Sequence, residues 1–273
     1  MPELPEVECV RRGVAGRLIG ARLTDCRVLR SDVCEPWPGH CLEGAVVGDV
    51  IRHGKQIAVV GADGRVMTVQ LGMTGSFEFV AEDEALRLHT HVTWRVGGLE
   101  GLLLAFRDPR RFGGLWFGSN MQELRTTKWS RLGPDALDIA PEQLQESAAG
   151  STRSVKALLL DQEVIAGVGN IYADESLFAA GLDPRMRAGR IVGPSWGRLV
   201  DNLKGILHAA IEAGGSTVRD YRKPDGGPGN AQREHRVYGR GGERCFRCST
   251  SLRRAIVAQR TTVWCPNCQA RSR

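Results

Sequence analysis

No run of about 20 apolar residues occurs in this 273-residue chain, which excludes a membrane-spanning helix. The first residues are acidic rather than basic and then apolar, so no secretory signal is expected. Internal repeats and low-complexity tracts are also missing. Between Ala21 and about Phe117 the chain offers no helical stretch that would carry a parallel-sheet crossover. Four of the eight cysteines, Cys9, Cys26, Cys34 and Cys41, lack any C-x-x-C spacing. They read as unpaired thiols in a reducing compartment, with no function assigned. What remains is ordinary in bulk, with 42% hydrophobic and 25% charged residues. The length suits two domains, or one large domain and a small module.

Charge is unevenly placed. Residues 233–273 hold ten arginines and two glutamates, a net of +8. Of the chain's 37 basic and 31 acidic residues, that leaves 27 and 29, a net of −2. A basic C-terminal module points to a polyanion, with nucleic acid the default. The same stretch carries Cys245-x2-Cys248-x16-Cys265-x2-Cys268, the spacing of a four-thiolate zinc site. Four thiolates close the coordination shell, so such a zinc is structural. Two disulfides are the alternative, disfavoured without a secretion signal.

Val7, Val10, Val14 and Leu18 recur at helical spacing and Gly20 is placed to end that helix. A helix beginning at residue 3 or 4 would hold Pro2 and Glu3 at its N-terminal mouth. Strands are expected at Arg22–Leu29, Ala45–Ile51, Gln56–Val60, Val66–Leu71, Ser76–Val80, His91–Val96 and Leu102–Phe106. Asp63-Gly64 marks a hairpin, and the spacing suggests a sandwich or barrel. After Gly133-Pro134, helices are expected at Pro141–Ala149, Thr152–Asp161, Ile171–Ala180 and Pro194–Ala213, with Gly181 and Gly214-Gly215 as caps. Asp220–Gly229 reads as a mobile polar loop.

Three local patterns carry chemistry. First, if Met1 is removed, Pro2 becomes a secondary amine with an ordinary pKa of about 8. A neutral amine attacks carbonyl-like carbons and forms an iminium, and Glu3 is tethered beside it as a candidate acid and base. On residue types alone a helix start is the simpler reading, since Pro fits a first turn and Glu3, Glu6 and Glu8 suit the dipole. Second, Gly167-Val-Gly-Asn170 precedes a helix, a phosphate-binding pattern that is weak by itself. Third, Asp108-Pro-Arg-Arg-Phe-Gly113 exposes two cations and an aromatic, with Leu71-Gly-Met73-Thr-Gly75 ahead of it. An apolar wedge and a planar cation are what base flipping requires.

The literal string Met1-Pro-Glu-Leu-Pro-Glu-Val-Glu8, followed by Arg11-Arg12-Gly13, resembles the start of the formamidopyrimidine-DNA glycosylase (MutM) family, which shares a superfamily with endonuclease VIII. The later motifs follow in order up to Cys268. The resemblance implies an α+β multidomain protein. An N-terminal catalytic β-sandwich with flanking helices spans 1–133, a helical DNA-binding domain with a helix–two-turns–helix motif spans 134–232, and a four-cysteine zinc-finger hairpin spans 233–273. It implies a bifunctional glycosylase/AP lyase of base excision repair, removing oxidised purines such as 8-oxoguanine and formamidopyrimidines. Pro2 would be the Schiff-base nucleophile, Glu3 the acid and Glu6 its support. Lys55, which with Arg260 would join the catalytic set, would bind the phosphate beside the target nucleotide, and Met73, Arg110 and Phe112 would fill the void. His91, Lys156, Asn170 and the finger's Arg260 would contact DNA. One structural Zn2+ would sit on Cys245, Cys248, Cys265 and Cys268, with no redox cofactor. The partner would be double-stranded DNA with oxidised bases or abasic sites, bound by a monomer in the bacterial cytoplasm. Departures from the family pattern are Asn230-Ala231 after Gly229, His235-Arg236 before Val237, and Leu88 where lysine is usual. Two alternatives stay open: an endonuclease VIII-type enzyme for oxidised pyrimidines, against which Leu4 counts, and a non-catalytic binder of damaged DNA.

Overall fold

The computed structural model describes residues 1–35, 41–218, 221–222 and 226–269. Contacts group the chain into two compact units, Met1–Arg131 with Ala213–Asn230, and Leu132–Glu212 with Ala231–Arg273. This differs from the three-part division expected from sequence. Residues 213–230 fall with the first unit because the Ser216 N–H bonds the Glu6 carboxylate. The finger falls with the helices because buried acids of a helix receive its backbone N–H groups.

The first unit opens with helix α1 (Leu4–Leu18), starting where the valine spacing places it. Gly20 follows in the left-handed conformation (φ +84°) and its N–H goes to the Val47 carbonyl. One sheet runs β1 (Leu23–Val28), β7 (Thr90–Val96), β8 (Leu102–Arg107), β6 (Ser76–Ala81). The other runs β2 (Cys34–Glu35), β9 (Gly114–Gly118), β5 (Val66–Gln70), β4 (Gln56–Gly61), β3 (Val47–His53). All neighbours are antiparallel except β2 and β9. Alternate residues share one core: Ile57 and Val59, Met67 and Val69 from one sheet, Val92, Trp94, Leu104 and Phe106 from the other. Val7, Val10, Val14 and Leu18 of α1 join it. The opposite face of the five-stranded sheet, at Ala58, Val66 and Trp116, is covered by Leu124 of the short helix α2 (Met121–Thr126).

In the second unit, α3 (Pro141–Ala148), α4 (Val155–Leu160), α5 (Asn170–Ala180) and α6 (Gly193–Glu212) lie close to the expected spans. Residues 161–169 make the turns between α4 and α5, so the helix–two-turns–helix motif is present. Gly181 ends α5 in the left-handed region (φ +74°). α6 buries Trp196, Leu199, Val200, Leu203, Leu207 and Ile211, a helical stripe. The finger is a two-stranded hairpin, β10 (Arg253–Val257) and β11 (Arg260–Trp264). No helix is long and apolar enough to cross a membrane among the described residues.

Candidate active site

α1 begins with Glu3 as N-cap, and the Glu3 N–H donates to Glu6 Oε2 at 2.8 Å. This is half of a capping box, in which a residue three positions on satisfies an orphan donor at the helix mouth. Glu6 Oε1 accepts from the Ser216 N–H, also at 2.8 Å. One buried carboxylate therefore ties the helix mouth to the segment after α6. Close approach there requires glycine: a Cβ on Gly215 would lie 3.2 Å from Glu6 Cγ and 3.0 Å from the Tyr221 ring, at a φ of +79°. Pro2 and Glu3 are buried while Met1 is exposed. The loop expected to be mobile is anchored where it is described, with the Gly229 N–H donating to Thr217 Oγ1. Asp220 and residues 223–225 lie outside the described residues.

Two residues beyond Glu6 on α1, Glu8 gathers three guanidinium groups. It accepts from Arg11 Nε and Nη2 at 2.9 and 2.8 Å, from Arg12 Nε at 3.0 Å and from Arg52 Nε at 3.1 Å. Burial raises its pKa, but the Arg11 hydrogen bond and charge, with Arg12 and Arg52, outweigh burial and hold the carboxyl below its ordinary range. Arg52 Nη1 also donates to the Gly54 carbonyl at 3.0 Å. Gly54 and Lys55 form the two-residue turn between β3 and β4, with Gly54 at a φ of +56°. Lys55, half-buried, sits at the tip of this turn.

Met73, Arg110 and Phe112 come from two loops that lock together. The fully buried carboxylate of Asp108 is the lock. Oδ1 accepts from Thr74 Oγ1 at 2.5 Å and Oδ2 from the Gly113 N–H at 2.8 Å. The Arg110 N–H is shared between Asp108 Oδ1 and Thr74 Oγ1, both at 3.2 Å. A Cβ on Gly72 would fall 2.4 Å from the Phe112 carbonyl carbon, so glycine is required at this crossing. Phe112 is 56% exposed, and the Arg110 guanidinium stacks 4.6 Å from its ring centre. Met73, next in sequence to Gly72, is half-buried. None of the three is in the sandwich core.

His91, expected to contact DNA, lies behind the Asp108 turn. It is buried against Phe106, and Nε2–H donates to the Asp108 carbonyl at 2.8 Å. Its visible work is to hold the Asp108 turn from beneath. Lys156, also expected to contact DNA, points inward. Its ammonium is fully buried, 2.6 Å from Asp174 Oδ1 and 2.7 Å from Thr262 Oγ1. Desolvation pushes the Asp174 carboxyl up to about 6, opposed by Lys156 and by the Val263 N–H. Asn170 is the first residue of α5, whose cap is Gly169, and its Nδ2 donates to the Thr261 carbonyl at 2.9 Å.

Lys156, Asn170 and Asp174 thus all bond the strand that starts at Arg260. Val257 pairs with Arg260, so Ala258-Gln259 is a two-residue turn with φ of +49° and +58°. Both positions are in the left-handed region that such turns demand and that non-glycine residues reach at a cost. Arg260 is exposed at this tip. Below it the four finger sulfurs lie within 4.8 Å of one another. Cys245–Cys268, Cys248–Cys265 and Cys248–Cys268 are 3.9, 3.5 and 3.4 Å apart. Zinc–sulfur bonds of about 2.3 Å in a tetrahedron place sulfurs about 3.8 Å apart, so the set fits zinc, and the separations exceed a disulfide. Backbone N–H groups of Arg247 and Cys268 point at Cys245 and Cys265 sulfurs at 3.4 Å, as thiolate ligands favour. One structural Zn2+ belongs here.

Family models match three consecutive stretches: the formamidopyrimidine-DNA glycosylase N-terminal domain at residues 1–115, the H2TH domain of the same enzymes at 132–222, and a zinc finger found in FPG and IleRS at 242–271. A formamidopyrimidine-DNA glycosylase of Xanthomonas axonopodis pv. citri is 41% identical, covering 98% of this chain and all of its own. This chain belongs to the formamidopyrimidine-DNA glycosylase family. Membership makes it a DNA-repair glycosylase with a zinc finger. Solved glycosylase structures match as well. MutM from Thermus thermophilus superimposes with a TM-score of 0.88 at 38% identity, covering 100% of both chains. A Lactococcus lactis FPG mutant bound to Fapy-dG-containing DNA gives 0.91 at 31% identity, over 99% of this chain and 100% of that one.

Several residues that hold these segments in place escape the sequence reading. Asp108 is the clearest, and a signal exists: Asp before Pro initiates turns by accepting backbone N–H groups. Glu8 stands within the quoted N-terminal string but carries no chemistry of its own that would single it out. Glu175, whose carboxylate accepts the N–H groups of Arg236, Val237 and Tyr238 at 2.8–2.9 Å, resembles any helical surface acid until its partners are known.

Proposed function

We propose that this chain is a bifunctional glycosylase/AP lyase that excises oxidised purines from duplex DNA through a Schiff base at Pro2. The observation that carries the reading is the built mouth of α1: Pro2 and Glu3 buried together, Glu6 satisfied by two backbone N–H groups, and Met1 exposed. With Met1 removed, the Pro2 amine attacks C1′ of the sugar. Glu3 protonates the ring oxygen, the C1′–base bond breaks, and the opened sugar is held as an iminium. The iminium accepts the electron pair released when the C2′ proton leaves, so the 3′ phosphate is expelled by β-elimination; loss of the C4′ proton then supplies the pair that expels the 5′ phosphate by δ-elimination. Water then releases the enzyme.

Lys55 binds a phosphate beside the target nucleotide. Met73, Phe112 and Arg110 enter the stack, with the rigid Arg110 fork on the orphaned base. Asn170 and Arg260 hold phosphates, Lys156 fixes the strand that starts at Arg260, and His91 fixes the turn that carries Arg110 and Phe112. The protein works as a monomer on DNA in the bacterial cytoplasm. Support comes from solved relatives, which include a Lactococcus lactis Fpg complex with abasic-site DNA besides the Fapy-dG complex.

The test is excision from matched duplexes carrying 8-oxoguanine, a formamidopyrimidine, thymine glycol or an abasic site. Faster cutting of the two purine lesions is expected, while a thymine glycol preference would favour the endonuclease VIII reading. Glu3→Gln should abolish base release yet keep some strand cleavage at a preformed abasic site.

A further inference from the structure

Glu8 and Arg52 lie outside every role assigned above, yet they join two of its parts. Glu8 is on the same helix as Glu3 and Glu6, and Arg52 is the penultimate residue of β3, one residue ahead of the turn's flank at His53. The Arg52 side chain is 8% exposed and divides its fork between the two elements: Nε to Glu8 Oε2 at 3.1 Å, Nη1 to the Gly54 carbonyl at 3.0 Å. Arg11 repeats the tie one turn along, with Nε and Nη2 on Glu8 and Nη1 on the Val50 carbonyl at 3.1 Å. A planar guanidinium fixes both ends of such a bridge, because its donors have a set geometry. A bridge from Glu8 that stopped at the strand would serve packing alone. This one reaches the carbonyl of the residue before Lys55.

We propose that Glu8 and Arg52 are positioning residues that set the Lys55 turn in register with the catalytic end of α1. The inference rests on the reading above, in which Lys55 holds the phosphate next to the nucleotide that Pro2 attacks. The nucleophile is at one end of a helix and the phosphate ligand at the tip of a hairpin. Their separation decides whether C1′ is delivered to the amine, and an error of about 1 Å in such a placement can cost about 100-fold in rate.

Arg52→Lys keeps the charge and the buried stem but cannot span both acceptors as a rigid fork. It is compared with Lys55→Ala and with the double variant, in the zinc-loaded full chain. The readouts are the single-turnover rate of borohydride-trappable adduct formation at saturating abasic duplex, the Kd for that duplex, and Tm. The expected result is a rate about tenfold or more below wild type for Arg52→Lys. Its Kd should change little, and the double variant should be no slower than Lys55→Ala alone. A wild-type rate for Arg52→Lys beside a slow Lys55→Ala overturns the inference and leaves the reading of Lys55 standing. Multiplying rate losses in the double variant also overturn it, since Arg52 would then act without Lys55. A wild-type rate for Lys55→Ala defeats the reading itself, and the inference with it. Should Arg52→Lys fail to fold, Glu8→Gln, which keeps one acceptor oxygen, enters the same cycle with the same outcomes.

Discussion

Asp108 has no solvent exposure, and its carboxylate is filled by one hydroxyl and two N–H groups, so the loops carrying Met73, Arg110 and Phe112 are fixed before any DNA arrives. That separates stability from function at single residues. Phe112 is 56% exposed, so Phe112→Ala should leave Tm nearly unchanged, within about 0.5 kcal/mol of stability, while slowing excision from duplex DNA. Thr74→Val should do the reverse in part: it deletes a hydrogen bond to a buried carboxylate and should cost about 1.5–3 kcal/mol in chemical denaturation. Equal effects of the two substitutions on Tm would contradict this division. Met73, Arg110 and Phe112 are legible in the sequence as an apolar residue, a fork and an aromatic near turn signals. The Asp108 lock is not, because Thr74 lies 34 residues away.

At the scale of elements, spans set by periodicity are readable and those set by pairing are not. α1 and α6 follow their apolar stripes. β9 is only Gly-Leu-Trp-Phe-Gly, too short for alternation to show, and it becomes a strand by pairing with β2 and β5 on its two sides. α2 is six mostly polar residues with Leu124 alone buried, which gives no helical stripe. Lys156 looks like a surface lysine because its partners are 18 and 106 residues distant. As a buried pair, Lys156 and Asp174 make a specific prediction. Lys156→Met leaves an unpaired buried carboxylate and should cost about 3–5 kcal/mol, whereas Lys156→Met with Asp174→Leu should cost far less. The salt dependence of DNA binding in that double variant should match wild type, and a slope reduced by one contact would restore Lys156 as a phosphate ligand. The pair also sets a pH dependence. Asp174 titrates near 6 when folded, above its ordinary 3.8, so its contribution is complete below 3.8 and is lost as pH rises through 6. Between pH 5 and 7 the stability of wild type relative to Asp174→Asn should fall by about 1 kcal/mol, measured by denaturation of the zinc-loaded protein. A flat difference would contradict the raised pKa.

For the molecule as a whole, the +8 of residues 233–273 and the four-sulfur cluster belong to one module, and both are plain in the sequence. Its dependence on metal follows from size, since a two-stranded hairpin cannot bury a core of its own. Cys248→Ala should lose the one equivalent of zinc found by elemental analysis and weaken binding to damaged and undamaged duplexes alike. Arg260→Ala should keep zinc and lower the salt slope by about one contact. The most direct test of the central claim is borohydride trapping of the Met1-processed protein on an abasic-site duplex, followed by peptide mapping of the adduct. The result predicted is one adduct per chain, on the Pro2 nitrogen. An adduct on a lysine such as Lys55, or none from protein shown to bind the duplex, would contradict it.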